Sequence, residues 1–173
     1  RVLASEGLSS FQADGVDIAV RQGRPPFGAG LVVDLLFPQQ IIAICSPALL
    51  PAGATEIPAA EIQHHVLLHD AHNLWPEFME KVVGLKMTAE LKRMRFNQTS
   101  LAIDAAIAGQ GIALASRFLV AADLAAGRLV QPVSGEMRGT QDFHVVMPRK
   151  QRHPEPTQAV RQWLLDAGER PPV

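Results

Sequence analysis

Short apolar runs, each cut off by proline or glycine before it reaches helical length, restrict most strongly how this chain can fold. Leu31–Phe37 and Gln40–Cys45 flank Pro38 and are too short for ordinary helices, so both are predicted strands. Val16–Arg21 alternates apolar and polar residues, the pattern of a half-buried strand. Arg1–Ser5 reads as a further strand, cut off at its beginning. Gly23–Gly30 holds three Gly and two Pro and is a predicted loop. Val66–His69, Leu91–Phe96, Ile112–Ala115, Leu129–Val130 and Phe143–Met147 supply the remaining strands.

Between these runs the apolar period changes to that of a helix. Ser46-Pro47 opens a short helical turn, with Ser as cap and Pro at the first helical position. Trp75, Phe78, Met79 and Val82 stand at i, i+3, i+4 and i+7, which predicts a helix from near Pro76. Thr99–Ala108 places Ile103, Ala106 and Ile107 on one face and stops at Gly109-Gln110-Gly111. Ser116 caps a helix whose stripe of Phe118, Ala121, Ala122 and Ala125 ends before Gly127. Val160, Trp163, Leu164 and Ala167 mark a C-terminal helix. Strands and helices alternating in this way predict an α/β architecture with largely parallel sheets.

Composition narrows the function classes. A chain of 173 residues makes one domain or two small ones. Sixteen Lys+Arg against seventeen Asp+Glu give a net charge of −1, without the basic excess of a module that contacts DNA by itself. The single cysteine, Cys45, excludes an internal disulfide and a Cys-based zinc site. No apolar run approaches the ~18 residues of a membrane-spanning helix. The opening residues lack the apolar core of a signal peptide, so a cytoplasmic location is the default.

His64, His65, His69 and His72 fall within nine residues, with Asp70 among them. A spacing of four puts His65 and His69 on one face of a helix, as metal ligands require, but Val66-Leu67-Leu68 reads as a strand and spreads them apart. The general-base Glu of a His-Glu-x-x-His motif is also missing, so loop or surface histidines are the reading. Cys45 precedes a helical turn, which lowers a thiol pKa, but a buried, inert cysteine is the reading. The sequence holds no Gly-x-Ser-x-Gly elbow, no Gly-x-Gly-x-x-Gly and no Walker pattern. Asp17, Asp34, Asp104 and Asp142 are isolated, and no spacing pairs them as acid and base. The best polar group is Asn97-Gln98-Thr99-Ser100, which follows a strand and opens a helix. The N–H groups of a first helical turn attract anions, and the same residue types are ordinary N-caps. Ser46 stands at a similar strand-to-helix junction.

Asp14-Gly15-Val16-Asp17-Ile18-Ala19-Val20-Arg21-Gln22-Gly23 resembles the D-x-D-x-A-I-R-x-G stretch in the effector domain of LysR-type transcriptional regulators. Ile44-Cys45-Ser46-Pro47 is similar to the C-S-P motif that ends its first crossover strand. Leu67-Leu68-His69-Asp70 with Trp75 resembles the L-L-H-D…W segment of the subgroup related to the glycine-cleavage activator and the β-lactamase regulator. Phe96-Asn97-Gln98-Thr99-Ser100 and Ala105–Leu114 resemble F-x-x-x…A-A-x-x-G-x-G-I-A-L, and Leu124–Pro132 the L-x-x-G-x-L-V-x-P ending. Together they run in order from about Asp14 to about Trp163.

The resemblance implies two Rossmann-like subdomains joined by crossover strands, as in type II periplasmic binding proteins. Subdomain I would take residues 1–44 and 113–173, and subdomain II residues 45–112. It implies an effector in the cleft between them, with Ser46, His69, Asn97, Thr99 and Ser100 as effector-binding residues. It places the helix-turn-helix that binds DNA, and the first strand and helix of subdomain I, ahead of Arg1. The expected protein is a non-enzymatic sensor of a small molecule, with a carboxylate as the expected effector. It acts as a homodimer or tetramer, touches DNA only through the helix-turn-helix, has no contact with a membrane, and needs no cofactor or metal. The alternative is a solute-binding protein of a transport system with the same bilobal fold. An enzyme on that fold, such as a prephenate-dehydratase-like catalyst, ranks last.

Overall fold

The computed structural model describes residues 1–4, 10–87 and 92–169. Among them lie strands β1 (Ala19–Gly23), β2 (Leu31–Phe37), β3 (Gln40–Ile44), β4 (Leu67–His69), β5 (Arg93–Arg95), β6 (Ile112–Ser116), β7 (Met137–Arg138) and β8 (Asp142–Pro148). The helices are α1 (Trp75–Phe78), α2 (Thr99–Ile107), α3 (Arg117–Ala125) and α4 (Pro154–Glu169). Short 3-10 turns cover Pro47–Leu49 and Ala59–His64, and α1 runs on into a π-helical turn, Met79–Val83. Arg1–Ala4 form no strand, and the rest of that predicted strand, Ser5, lies outside the described residues, as does Leu91.

The described residues divide into two units, one of 1–39 with 139–169 and one of 40–138. The predicted boundaries after 44 and 112 are therefore shifted. β3 pairs with β6 and β7, and β6 pairs with both β3 and β4, so residues 113–138 stay with the second unit.

In the first unit, β8 inserts between β1 and β2, and both pairings are antiparallel. Val145 lies between Val20 and Asp34, and His144 between Arg21 and Leu35. Helix α4 packs on β2 and β8. Its inner face is not the predicted one. Thr157 is buried, and Arg161, Leu164, Leu165 and Gly168 are half-buried, whereas Val160, Trp163 and Ala167 are exposed. On that face Arg161 donates through Nε and Nη2 to both oxygens of Asp34, at 2.8 and 2.6 Å, and ties the helix to β2. Gly168 lets the last turn close in, since a Cβ there would lie 2.6 Å from the Leu36 carbonyl oxygen.

The second unit holds a five-stranded sheet in the order β5-β4-β6-β3-β7. Only β4–β5 and β4–β6 are parallel, and β3 runs antiparallel to β6 and β7, so this sheet is mixed and the first is antiparallel, where largely parallel sheets were predicted. Strand alternation sorts the core into two layers. Ile41, Ala43, Cys45, Leu67, Ile112 and Leu114 pack with Trp75, Phe78 and Met79 on one face. Ile42, Ile44, Leu68, Ala113 and Ala115 pack with α2 and α3 on the other. The buried face of α2 is Ala102, Ala105 and Ala106, with Ile103 and Ile107 only partly buried beside it. Small residues bring this helix close to the sheet. Helix α3 buries Val120 and exposes Phe118, Leu119, Ala122 and Ala125, so the predicted stripe faces outward. Leu129–Val130 contributes a single bridge, in which Cys45 and Val130 exchange backbone bonds of 3.0 and 2.9 Å.

Candidate functional site

Parallel pairing of β5, β4 and β6 brings the C-terminal ends of three strands together, the place where α/β sheets gather polar groups. His69 ends β4, and its carbonyl accepts from Phe96 N–H at 2.8 Å, which holds the exit of β5 alongside. Asp70 follows. Its Oδ1 accepts from His72 N–H at 3.0 Å, and its Oδ2 accepts from the Thr99 hydroxyl at 2.6 Å. One carboxylate thus ties the end of β4 to the start of α2.

This bond answers the capping question left open by the sequence. Gln98, in extended conformation, is the N-cap of α2, and its side chain makes no capping bond. Thr99 is the first helical residue and is half-buried, while Asn97 and Ser100 are exposed. Asp70, which the sequence reading placed among the histidines and in the L-L-H-D segment but not among the effector-binding residues, is the residue at the centre. Its position just past the short strand that ends Leu67-Leu68-His69 was the available signal.

His69 is 1% exposed. Its Nδ1 lies 3.3 Å from Asn73 Oδ1, and a neutral ring that donates there leaves Nε2 as a bare acceptor with no partner. Burial holds the imidazole below its ordinary pKa; Arg95 and Arg93 push it the same way, against the Asn73 bond and Asp70. Asn73 takes a left-handed conformation, φ 50°, to reach the ring. Trp75 closes the inner side by donating from Nε1 to the Leu68 carbonyl at 2.9 Å. Arg95 pairs in register with His69, so a cation stands at the strand ends that spacing in sequence did not place there.

Ser46 does not join this group. Its N–H donates to Ala106 O at 3.1 Å, near the C-terminal end of α2, and its Oγ accepts from Ala48 N–H at 3.4 Å. Seven residues of helix separate Ala106 from Thr99, roughly 10 Å of rise. Because β3 runs antiparallel to β6, its C-terminal end lies at the opposite edge of the sheet from that of β4. The structure therefore brings together His69, Thr99 and Asp70, with Asn97 and Ser100 at the same helix end, and leaves Ser46 apart. Among the described residues no three His, Cys, Asp or Glu side chains converge as metal ligands. Cys45 is buried between the sheet and its covering layer, and desolvation pushes its thiol up to about 11.

The sequence matches the family model of the LysR substrate binding domain over residues 1–169. The chain belongs to this family. Among curated relatives, this LysR-family chain is 30% identical over 165 residues to the glycine cleavage system transcriptional activator of Escherichia coli strain K12, covering 95% of the chain and 54% of that protein. It is 34% identical over 131 residues to the transcriptional regulator TrpI of Pseudomonas aeruginosa, covering 74% of the chain and 44% of that protein. It spans about half the length of these relatives. The solved effector binding domain of AmpR from Citrobacter freundii superposes with a TM-score of 0.74 at 21% identity, covering 93% of this chain and 78% of that one. The effector domain of AmpR from Pseudomonas aeruginosa gives 0.71 at 24%, covering 92% and 75%. The LysR-family fold is thus type II periplasmic-binding-protein-like. The relatives named here are transcriptional regulators, which favours a regulator over a transport component or an enzyme.

Proposed function

We propose that this chain is the small-molecule effector-sensing domain of a LysR-type transcription factor, and that effector binding is coupled to oligomer geometry. Family membership over residues 1–169 carries the reading. In it, a carboxylate effector is received at the strand ends of the second unit. The first-turn N–H groups of α2, with the side chains of Asn97 and Ser100, present donors, while the Thr99 hydroxyl proton is held by Asp70, and Arg95 and the helix dipole supply positive potential. His69, next to Asp70, keeps a buried acceptor without a partner at Nε2, which a hydroxyl or amine of the effector reaches only by opening the site. Asp70, already bonded to Thr99, sets the geometry. The chain itself, with its net charge of −1, does not touch DNA; a helix-turn-helix elsewhere in the whole cytoplasmic protein does so. Outward apolar side chains on α3, Phe118 and Leu119, support a homodimer or tetramer.

The test is a melting-temperature screen of carboxylate metabolites against the effector domain, followed by the hits against variants. Thr99→Ala is expected to reduce the ligand-induced shift beyond its own loss of stability. Ser46→Ala is the comparison: an equal reduction there moves the site to the other end of α2. An undiminished shift in Thr99→Ala and His69→Gln alike removes these residues from effector binding.

A further inference from the structure

We propose that a groove on the other face of the second unit's sheet binds a small primary ammonium ion carrying a short apolar body. The groove is shallow and open to solvent, with a volume of about 390 Å³. Ile57, Pro58, Val82, Val83 and Val133 form its apolar walls, with Glu56 and Ser134 as its charged and hydroxyl groups. Ile57, Val82, Val83 and Val133 belong to the core layer opposite α2, so this groove is separate from the cluster around Thr99.

Its walls are held before any ligand arrives. Ile57 N–H donates to Pro132 O at 2.8 Å. The Gln131 amide donates to Val133 O at 2.9 Å and Gly135 O at 2.8 Å, and its oxygen accepts from Arg117 at 2.8 Å. Gly135 sits so close that a Cβ there would lie 3.0 Å from Val82 Cγ1. Val82 and Val83 end the π-helical turn, a rare backbone form that recurs at functional sites, and Gly84 closes it in a left-handed conformation, φ 78°. A preformed wall spares a ligand the cost of ordering it.

The polar groups select the charge. Ser134 donates its hydroxyl proton to Glu56 Oε1. Among the lining side chains, what remains is acceptor capacity: the second carboxylate oxygen of Glu56 and the lone pairs of Ser134. The lining contains no Lys, Arg or His, and among the described residues no cationic side chain pairs with Glu56. An ammonium group, with three donors and a positive charge, complements this rim; a carboxylate is repelled by it.

The experiment is a methyl NMR titration of the full chain with butylammonium, using 1-butanol and butyrate as neutral and anionic isosteres. Butylammonium is expected to shift the Val82, Val83 and Val133 methyl signals saturably, with butanol at least about tenfold weaker and butyrate inactive. Glu56→Gln is expected to raise the Kd about tenfold and Ser134→Ala severalfold. Both positions are exposed, and an unchanged melting temperature verifies the fold. Thr99→Ala is expected to leave this titration unaltered, which keeps it distinct from effector binding. Equal binding of butanol, an unchanged Kd in Glu56→Gln, or no saturable shift overturns the proposal.

Discussion

Thr99 and Asp70 stand 29 positions apart in the chain and 2.6 Å apart in the fold, hydroxyl to carboxylate. The bond is half-buried and charge-assisted, and it fixes where α2 begins relative to β4. Thr99→Ala removes the donor and leaves a carboxylate oxygen unsatisfied, so a loss of about 1–2 kcal/mol is expected in urea unfolding. Thr99→Ser keeps the hydroxyl and is expected to recover most of that loss. Equal destabilisation by both substitutions would assign the cost to the lost methyl group instead.

Gly168→Ala tests the seating of α4. By intrinsic propensity, alanine in a helix gains up to about 1 kcal/mol over glycine. Here the new methyl would meet the Leu36 carbonyl oxygen at 2.6 Å and Leu36 Cδ1 at 2.8 Å, so the last turn must lift from β2. Net destabilisation is expected, read as a lower thermal midpoint.

Acid should weaken the fold through His69. Burial lowers its pKa in the folded chain below the ordinary imidazole value of about 6.5. The unfolded chain therefore binds the proton more readily, and stability present above that pH is lost as pH falls below it toward the folded value. The urea midpoint is expected to drop between pH 7.5 and 5.5 by more in the wild type than in His69→Gln. Parallel pH profiles for the two proteins would exclude His69 as the source.

Cys45 should be chemically silent while the chain is folded. Its thiol is fully buried and raised to about 11, and thiolate is the reactive form. At pH 8, labelling by an aromatic disulfide reagent is expected to follow unfolding and to rise steeply across the urea transition. Fast labelling in the absence of denaturant would contradict the buried position.

Local pattern reveals elements more readily than partners. The bounds of β2, β3, β6 and β8 are close to those read from the sequence, because each centres on a short apolar run with Pro or Gly close to at least one end. Pairing direction was not legible, since β8 enters between β1 and β2 from more than a hundred residues away. On α4 the apolar spacing misled. The side chain that marks the inner face is Arg161, and its inward role exists only because Asp34 waits on β2. The candidate site shows the same limit. Thr99 and His69 were visible as polar residues at strand ends, but Asp70 became central only when β4 and α2 met. Ser46 fell away because strand direction, not motif type, decides which end of a helix a residue reaches.

The two tryptophans offer a consequence of a different kind. Trp75 lies in the second unit at 1% exposure, beside Phe78, and Trp163 lies in the first unit at 67%. Each unit therefore carries its own natural fluorophore, one dark to aqueous quenchers and one open to them. Iodide should silence Trp163 and spare Trp75, so that blue-shifted, unquenched emission reports on the second unit alone. A Trp163→Phe variant would leave Trp75 as the one tryptophan, so that melting of the second unit could be followed by colour in an unlabelled sample.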